Sequence, residues 1–78
     1  MFTSAQLRAA RAMLKWSIDD LSNKSGIGTT TLKRFESADG VPNAQVRTIE
    51  QLRVVIEGAG IEFIGTPESG AGVRWKID

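Results

Sequence analysis

Three times within its first 32 residues the chain repeats one short pattern: an apolar residue, a small capping residue, and a second apolar residue four positions after the cap. The three copies are Phe2-Thr3 with Leu7, Trp16-Ser17 with Leu21, and Ile27-Gly28 with Leu32. An apolar pair placed this way closes over a helix start as a hydrophobic staple, and Gln6 and Asp20, three residues after their caps, complete capping boxes in the first two copies. Gly28 is an acceptable cap for the third. Helix starts this close together force short helices. The spacing predicts helices over 4–14, 18–24 and 29–37, the second stopped by Ser25-Gly26, a residue type suited to the left-handed turn that ends a helix. Trp16 is expected in the core as a staple residue.

The loop that follows, SADGVPN, is marked by Asp-Gly and Pro-Asn. Asn43 then reads as the cap of a fourth and longest helix over 44–57, in which Val46, Ile49, Leu52, Val55 and Ile56 recur at helical intervals and Gly58 and Gly60 end the run. From Ile61 the period changes to two. IEFIG and VRWKI each alternate, with Ile61 and Phe63 on one face of the first strand and Val73, Trp75 and Ile77 on one face of the second, joined by the turn-rich GTPESGAG. An isolated hairpin is barely stable in water. Phe63, Val73, Trp75 and Ile77 are therefore expected to cover the helices or to form the interface with another subunit, and symmetric pairing into a homodimer is favoured because a bare strand edge invites a mate. The chain divides into residues 1–58 and a C-terminal β element, 59–78. The fold class is mainly α.

Composition narrows the chemistry. The 78 residues include no His and no Cys, which removes the usual neutral-pH base, the commonest metal ligand and any disulfide framework. Serine and threonine hydroxyls have no His base beside them, and the GIG and GAG stretches lack the context of nucleotide-binding loops. No catalysis, no cofactor and no metal are expected. No run approaches the length of a membrane span and no secretory leader is visible, so the reading is cytoplasmic, with no membrane partner. The net charge of +1 hides an asymmetry. Residues 1–34 carry Arg8, Arg11, Lys15, Lys24, Lys33 and Arg34 against Asp19 and Asp20, and residues 35–78 carry four cations against seven acids.

The third helix shows what the basic half is for. At about 100° per residue, Thr29, Thr30, Lys33 and Arg34 share one face while Leu32 and Phe35 share the other, with Thr31 between. Two short helices joined by a few residues containing Gly form a helix-turn-helix unit. A face of hydroxyls and cations on its second helix suits the major groove of DNA, where Arg and Lys pair with guanine and Thr meets bases or the thymine methyl.

Over residues 4–57, and most specifically in LRAARAMLKWSIDDLSNKSGIGTTTLKRFE, the chain resembles the Cro/CI-type (XRE-like) helix-turn-helix repressors. The resemblance implies a lambda-repressor-like bundle of four helices, here followed by a two-stranded antiparallel β element, that binds double-stranded DNA as a homodimer. It maps base reading onto Thr29, Thr30, Lys33 and Arg34. Phosphate contacts are expected from Ser17, Lys24, Gly28, Thr31 and Arg11. With one small domain in the sequence, repression by blocking polymerase is the expected mode. The chain departs from the family at Ile18, where many members carry a Gln that touches phosphate. That apolar residue, with the acidic rear half, motivates the alternative reading of a protein-binding adaptor, an antiactivator or antitoxin-like partner that masks another protein.

Overall fold

The computed structural model describes residues 2–38 and 40–77. Four helices, α1 (Ser4–Leu14), α2 (Ile18–Ser25), α3 (Thr29–Ser37) and α4 (Val46–Gly58), precede two strands, β1 (Ile61–Thr66) and β2 (Ser69–Trp75). The two expected capping boxes form. The Thr3 and Ser17 hydroxyls accept from the backbone N–H of Gln6 and Asp20, whose side chains accept in return from the backbone of Thr3 and Ser17. Gly28 caps α3 through its carbonyl, which accepts from Leu32 N at 3.1 Å. Helix α1 closes on Lys15, whose φ of 59° puts a non-glycine residue in the left-handed region. Its N–H and that of Trp16 satisfy the carbonyls of Ala12 and Arg11, so two hydrogen bonds offset the steric cost of that conformation. Gly26 makes the corresponding turn after α2 at φ 75°, at no such cost.

One core joins all six elements. Phe2, Leu7, Ala10, Leu21, Ile27, Leu32, Phe35, Ile49, Leu52, Ile56 and Ile61 are buried, which places all but one of the six staple residues inside. Trp16, expected there, is only half-buried against the core's rim, and the Lys24 ammonium lies 5.0 Å above its ring. The hairpin shares this core. Ile61 is fully buried, and the Phe63 ring stacks on Phe2 with centroids 4.7 Å apart.

Helix α2, helix α4 and β1 each end one residue later than the sequence predicts, and the larger differences are at the start of α4 and at both ends of β2. Helix α4 begins at Val46 rather than 44, and its cap is Gln45, which makes no side-chain capping bond, rather than Asn43. Ala44 packs against the core instead, and the chain is not yet helical there, with Gln45 still extended. Asp39, in the expected loop, lies outside the described residues. The second strand runs Ser69–Trp75, not 73–77, because Ser69 and Gly70 both pair with Thr66 and Gly72 pairs with Ile64, although the side chains of this stretch show no alternation. Ile77 lies beyond the strand and is exposed. At the hairpin's bend only glycine fits. Gly65 has φ 74°, and a Cβ there would stand 2.2 Å from the Gly70 carbonyl oxygen.

Gln6 ties the hairpin to the helices. Its Oε1 accepts from Thr3 N at 2.7 Å, while Nε2 donates to Gly72 O at 2.9 Å and Ile64 O at 3.1 Å, a pair of residues opposite each other across the strands. One buried amide thus finishes a helix cap and bridges both strands. Gln6→Ala removes all three bonds and should cost about 2 to 3 kcal/mol. Urea denaturation followed by circular dichroism measures the loss.

Candidate nucleic-acid interface

Helix α3 presents the face that its sequence pattern predicts. Leu32 and Phe35 are buried, Thr30, Lys33 and Arg34 are exposed, and Thr29 and Thr31 are half-buried at the edges. The structure thus brings the four expected base-reading residues onto one outward surface. The lone acidic side chain of α3 does not share it. Glu36 is buried at the flank of that face, against α1, where its two carboxylate oxygens accept from Nε and Nη2 of Arg11, each at 2.9 Å. With that carboxylate turned inward and paired, the charge of Lys33 and Arg34 on the outer face is not cancelled by an acid on their own helix.

What holds α3 in place is a set of donors from α1. The last carbonyls of a helix have no partner within it. Here Ser4 Oγ donates to Phe35 O at 2.5 Å and an Arg8 Nη donates to Glu36 O, while Ser37 Oγ turns back to Arg34 O at 3.1 Å. Arg11 extends the tie to the start of α2 by donating to Trp16 O at 2.9 Å. At the other end the turn between α2 and α3 is fixed by Ser22 Oγ donating to Ile27 O at 2.7 Å and Ser25 Oγ accepting from Ile27 N at 3.2 Å, and Gln51 of α4 donates to Ser25 O. The helix is clamped at both ends while its outer face stays free.

Arg11 was expected among the phosphate contacts, and here the structure points elsewhere. Its guanidinium is spent on Glu36 and Trp16 O, and the hydrogen bond with Glu36 raises its already high pKa. The other expected phosphate residues divide by role. Ser17 is exposed and its hydroxyl caps α2, Lys24 is exposed with its ammonium over Trp16, and Gly28 is exposed with open space where a Cβ would be. Thr31 lines a cleft. Two hollows of about 490 and 310 Å³ lie between α3 and the segment entering α4, and Arg34, Phe35 and Asn43 border both. Gln45 and Thr48 complete the larger one with Thr31 and Ala44. The sequence reading missed Gln45 and Thr48 and took Asn43 for a cap, because a cleft between a loop and a helix leaves no periodic trace in sequence. The four residues expected as an interface also separate. Phe63 and Val73 pair with each other across the hairpin and pack on the chain's own core, whereas Trp75 and Ile77 are exposed, at 50% and 85%.

Neither a protein-family model nor a curated protein matches the sequence. Among the described residues no helix is long and apolar enough to cross a membrane.

Two outcomes test this architecture. Arg11→Met strands the buried Glu36 carboxylate and should destabilise the fold by about 3 kcal/mol, whereas Arg11→Met with Glu36→Leu should recover most of that, since an apolar pair can replace a buried ion pair. Equilibrium unfolding of the three proteins decides it. The pH dependence follows from Asp20 and Glu62, whose pKa values are lowered, the first by its hydrogen bonds with Ser17 and the second by its bond to Arg74. A carboxylate with a depressed pKa in the fold stabilises it at every pH above the unfolded value, near 4, and loses that effect as pH falls through the lower folded value. Melting temperature should therefore hold steady from about pH 7 to 5 and decline below about pH 4, with no step near pH 6.5, where His would titrate.

Proposed function

We propose that the chain is a sequence-specific DNA-binding transcriptional regulator of the Cro/CI (XRE-like) type. On this reading α1 to α4 form a lambda-repressor-like bundle, α2 and α3 are its helix-turn-helix, and α3 enters the major groove. One observation carries the reading: the outward face of α3 joins hydroxyls to two cations, while the helix's one acid is buried and paired with Arg11 of α1. Arg34 and Lys33 offer donors to guanine O6 and N7, and Thr29 and Thr30 offer hydroxyls and methyls. The half-buried Thr31 and the polar rim of the adjoining cleft, Asn43, Gln45 and Thr48, lie where the backbone flanking the groove would pass, with Ser17, Lys24 and the amides near Gly28 as further phosphate donors. Two copies bound to a palindromic site would repress by occlusion, which needs no surface beyond this one.

The adaptor reading draws on Ile18, and the environment of that residue does not favour it. Ile18 is half-buried against the core, and the large apolar residues exposed among the described positions, Val46, Val54, Trp75 and Ile77, lie on α4 and in or just past β2, none on α2 or α3. The face that would mask a protein partner lacks the apolar patch such contacts use.

Selection of bound duplexes from a random pool, followed by fluorescence anisotropy on the preferred site, tests the proposal. Arg34→Ala should weaken binding by about 1 to 3 kcal/mol and relax base choice at one position, whereas Lys24→Ala should weaken all duplexes alike and reduce the salt slope by about one. A chain that binds no duplex even at low salt would end the proposal.

A further inference from the structure

Ser4 is the first residue of α1 and has no exposed surface. The N–H groups of a helix's first turn have no partner inside the helix, so a serine in this position brings two spare donors, and burial obliges both to find acceptors. They find them on different segments. Ser4 Oγ donates to Phe35 O at 2.5 Å, in the last turn of α3, and Ser4 N donates to Gly40 O at 2.8 Å, in the loop that leads to α4. Gly40 stands in the left-handed region, at φ 70°, which a glycine adopts without steric cost. The chain leaving α3 is thereby folded back onto one buried residue. Arg8 and Arg11 also tie α1 to α3, but neither reaches this loop. Among the described residues no hydrogen bond runs directly from α3 to residues 40–48, so the polar link between them passes through Ser4.

We propose that Ser4 is a positioning residue that sets the sequence specificity of DNA binding, an inference that rests on the DNA-binding reading of α3. On that reading the two segments joined at Ser4 make different kinds of contact. Thr29, Thr30, Lys33 and Arg34 meet base edges from α3, whereas Asn43, Gln45 and Thr48, on the other wall of the adjoining cleft, meet the sugar-phosphate backbone. Base contacts carry sequence information and backbone contacts fix the register in which they are made. Reading a base edge requires the reader to be held within about 0.5 Å of its productive place. With the hydroxyl gone, α3 can shift against residues 40–48. Backbone contacts then still form on any duplex, while the base-reading side chains lose their register, so discrimination falls and general affinity does not.

The test compares the preferred duplex with a random one by fluorescence anisotropy, at a temperature where every variant is folded. Ser4→Ala removes the hydroxyl and leaves Phe35 O with Ala38 N at 3.4 Å. Gly40→Ala strains the same joint from the loop side, where a Cβ meets nothing within 4 Å. Each should lower the ratio of preferred to random affinity roughly tenfold, the effect of one mismatched base pair, with random-duplex affinity and its salt slope unchanged. Combined, they should lose no more than either alone, since both release one joint. Ile61→Val, which trims the buried core without touching either bond, should lower stability and leave the ratio alone. In the free protein the amide of residue 4 should exchange with solvent deuterium faster in Ser4→Ala, because the loop carbonyl that covers it is no longer held. A ratio unchanged in Ser4→Ala, a fall shared equally by random duplexes, or an equal fall in Ile61→Val overturns the proposal and leaves DNA binding standing. So does an amide at residue 4 as protected as before. A chain that binds no duplex at all ends the DNA-binding reading itself, and this proposal with it.

Discussion

The arrangement rests on the pairing of the buried Glu36 with the half-buried Arg11. A carboxylate sealed inside a small domain is costly unless a cation meets it, and here the cation arrives from another helix with a third bond left for Trp16 O. Because a guanidinium binds a carboxylate in a fixed fork, the pair sets not only the distance between α1 and α3 but their relative orientation. Ser4 and Arg8 reinforce it by satisfying the carbonyls of Phe35 and Glu36, which the end of α3 would otherwise leave without partners. A helix of nine residues has little stability of its own. Its outer face can be devoted to polar groups because its position is held from behind and from its ends.

The same economy of polar groups recurs at Gln6. A hairpin of six and seven residues would not persist alone in water. It is held by Ile61 in the core, by Phe63 on Phe2, and by one amide that serves the cap of α1 and both strands. Helix bundle and hairpin are consequently parts of one packed unit.

Much of this was legible in the residues. The staples and capping boxes placed the starts of α1, α2 and α3 to the residue, because capping depends on contacts within one turn. The alternation of apolar and polar positions gave the inner and outer faces of α3 correctly, and so its exposed Thr30, Lys33 and Arg34. The start of α4 was misplaced because Asn43 is chemically a good cap, yet Ala44 packs on the core before the helix begins. The length of β2 was missed because Gly and Ala carry no amphipathic signal, while their backbone pairs as well as any.

Local chemistry, then, is what the sequence by itself determined: where helices begin, which sides are apolar, and that no histidine or cysteine chemistry is open to this chain. The tertiary structure alone decided which charges are free. Arg11 and Arg34 read alike in sequence, as basic residues on short helices. Only the approach of Glu36, 25 residues from Arg11 along the chain, neutralises one of them, because ion pairing depends on separation in space, which packing sets and sequence spacing does not.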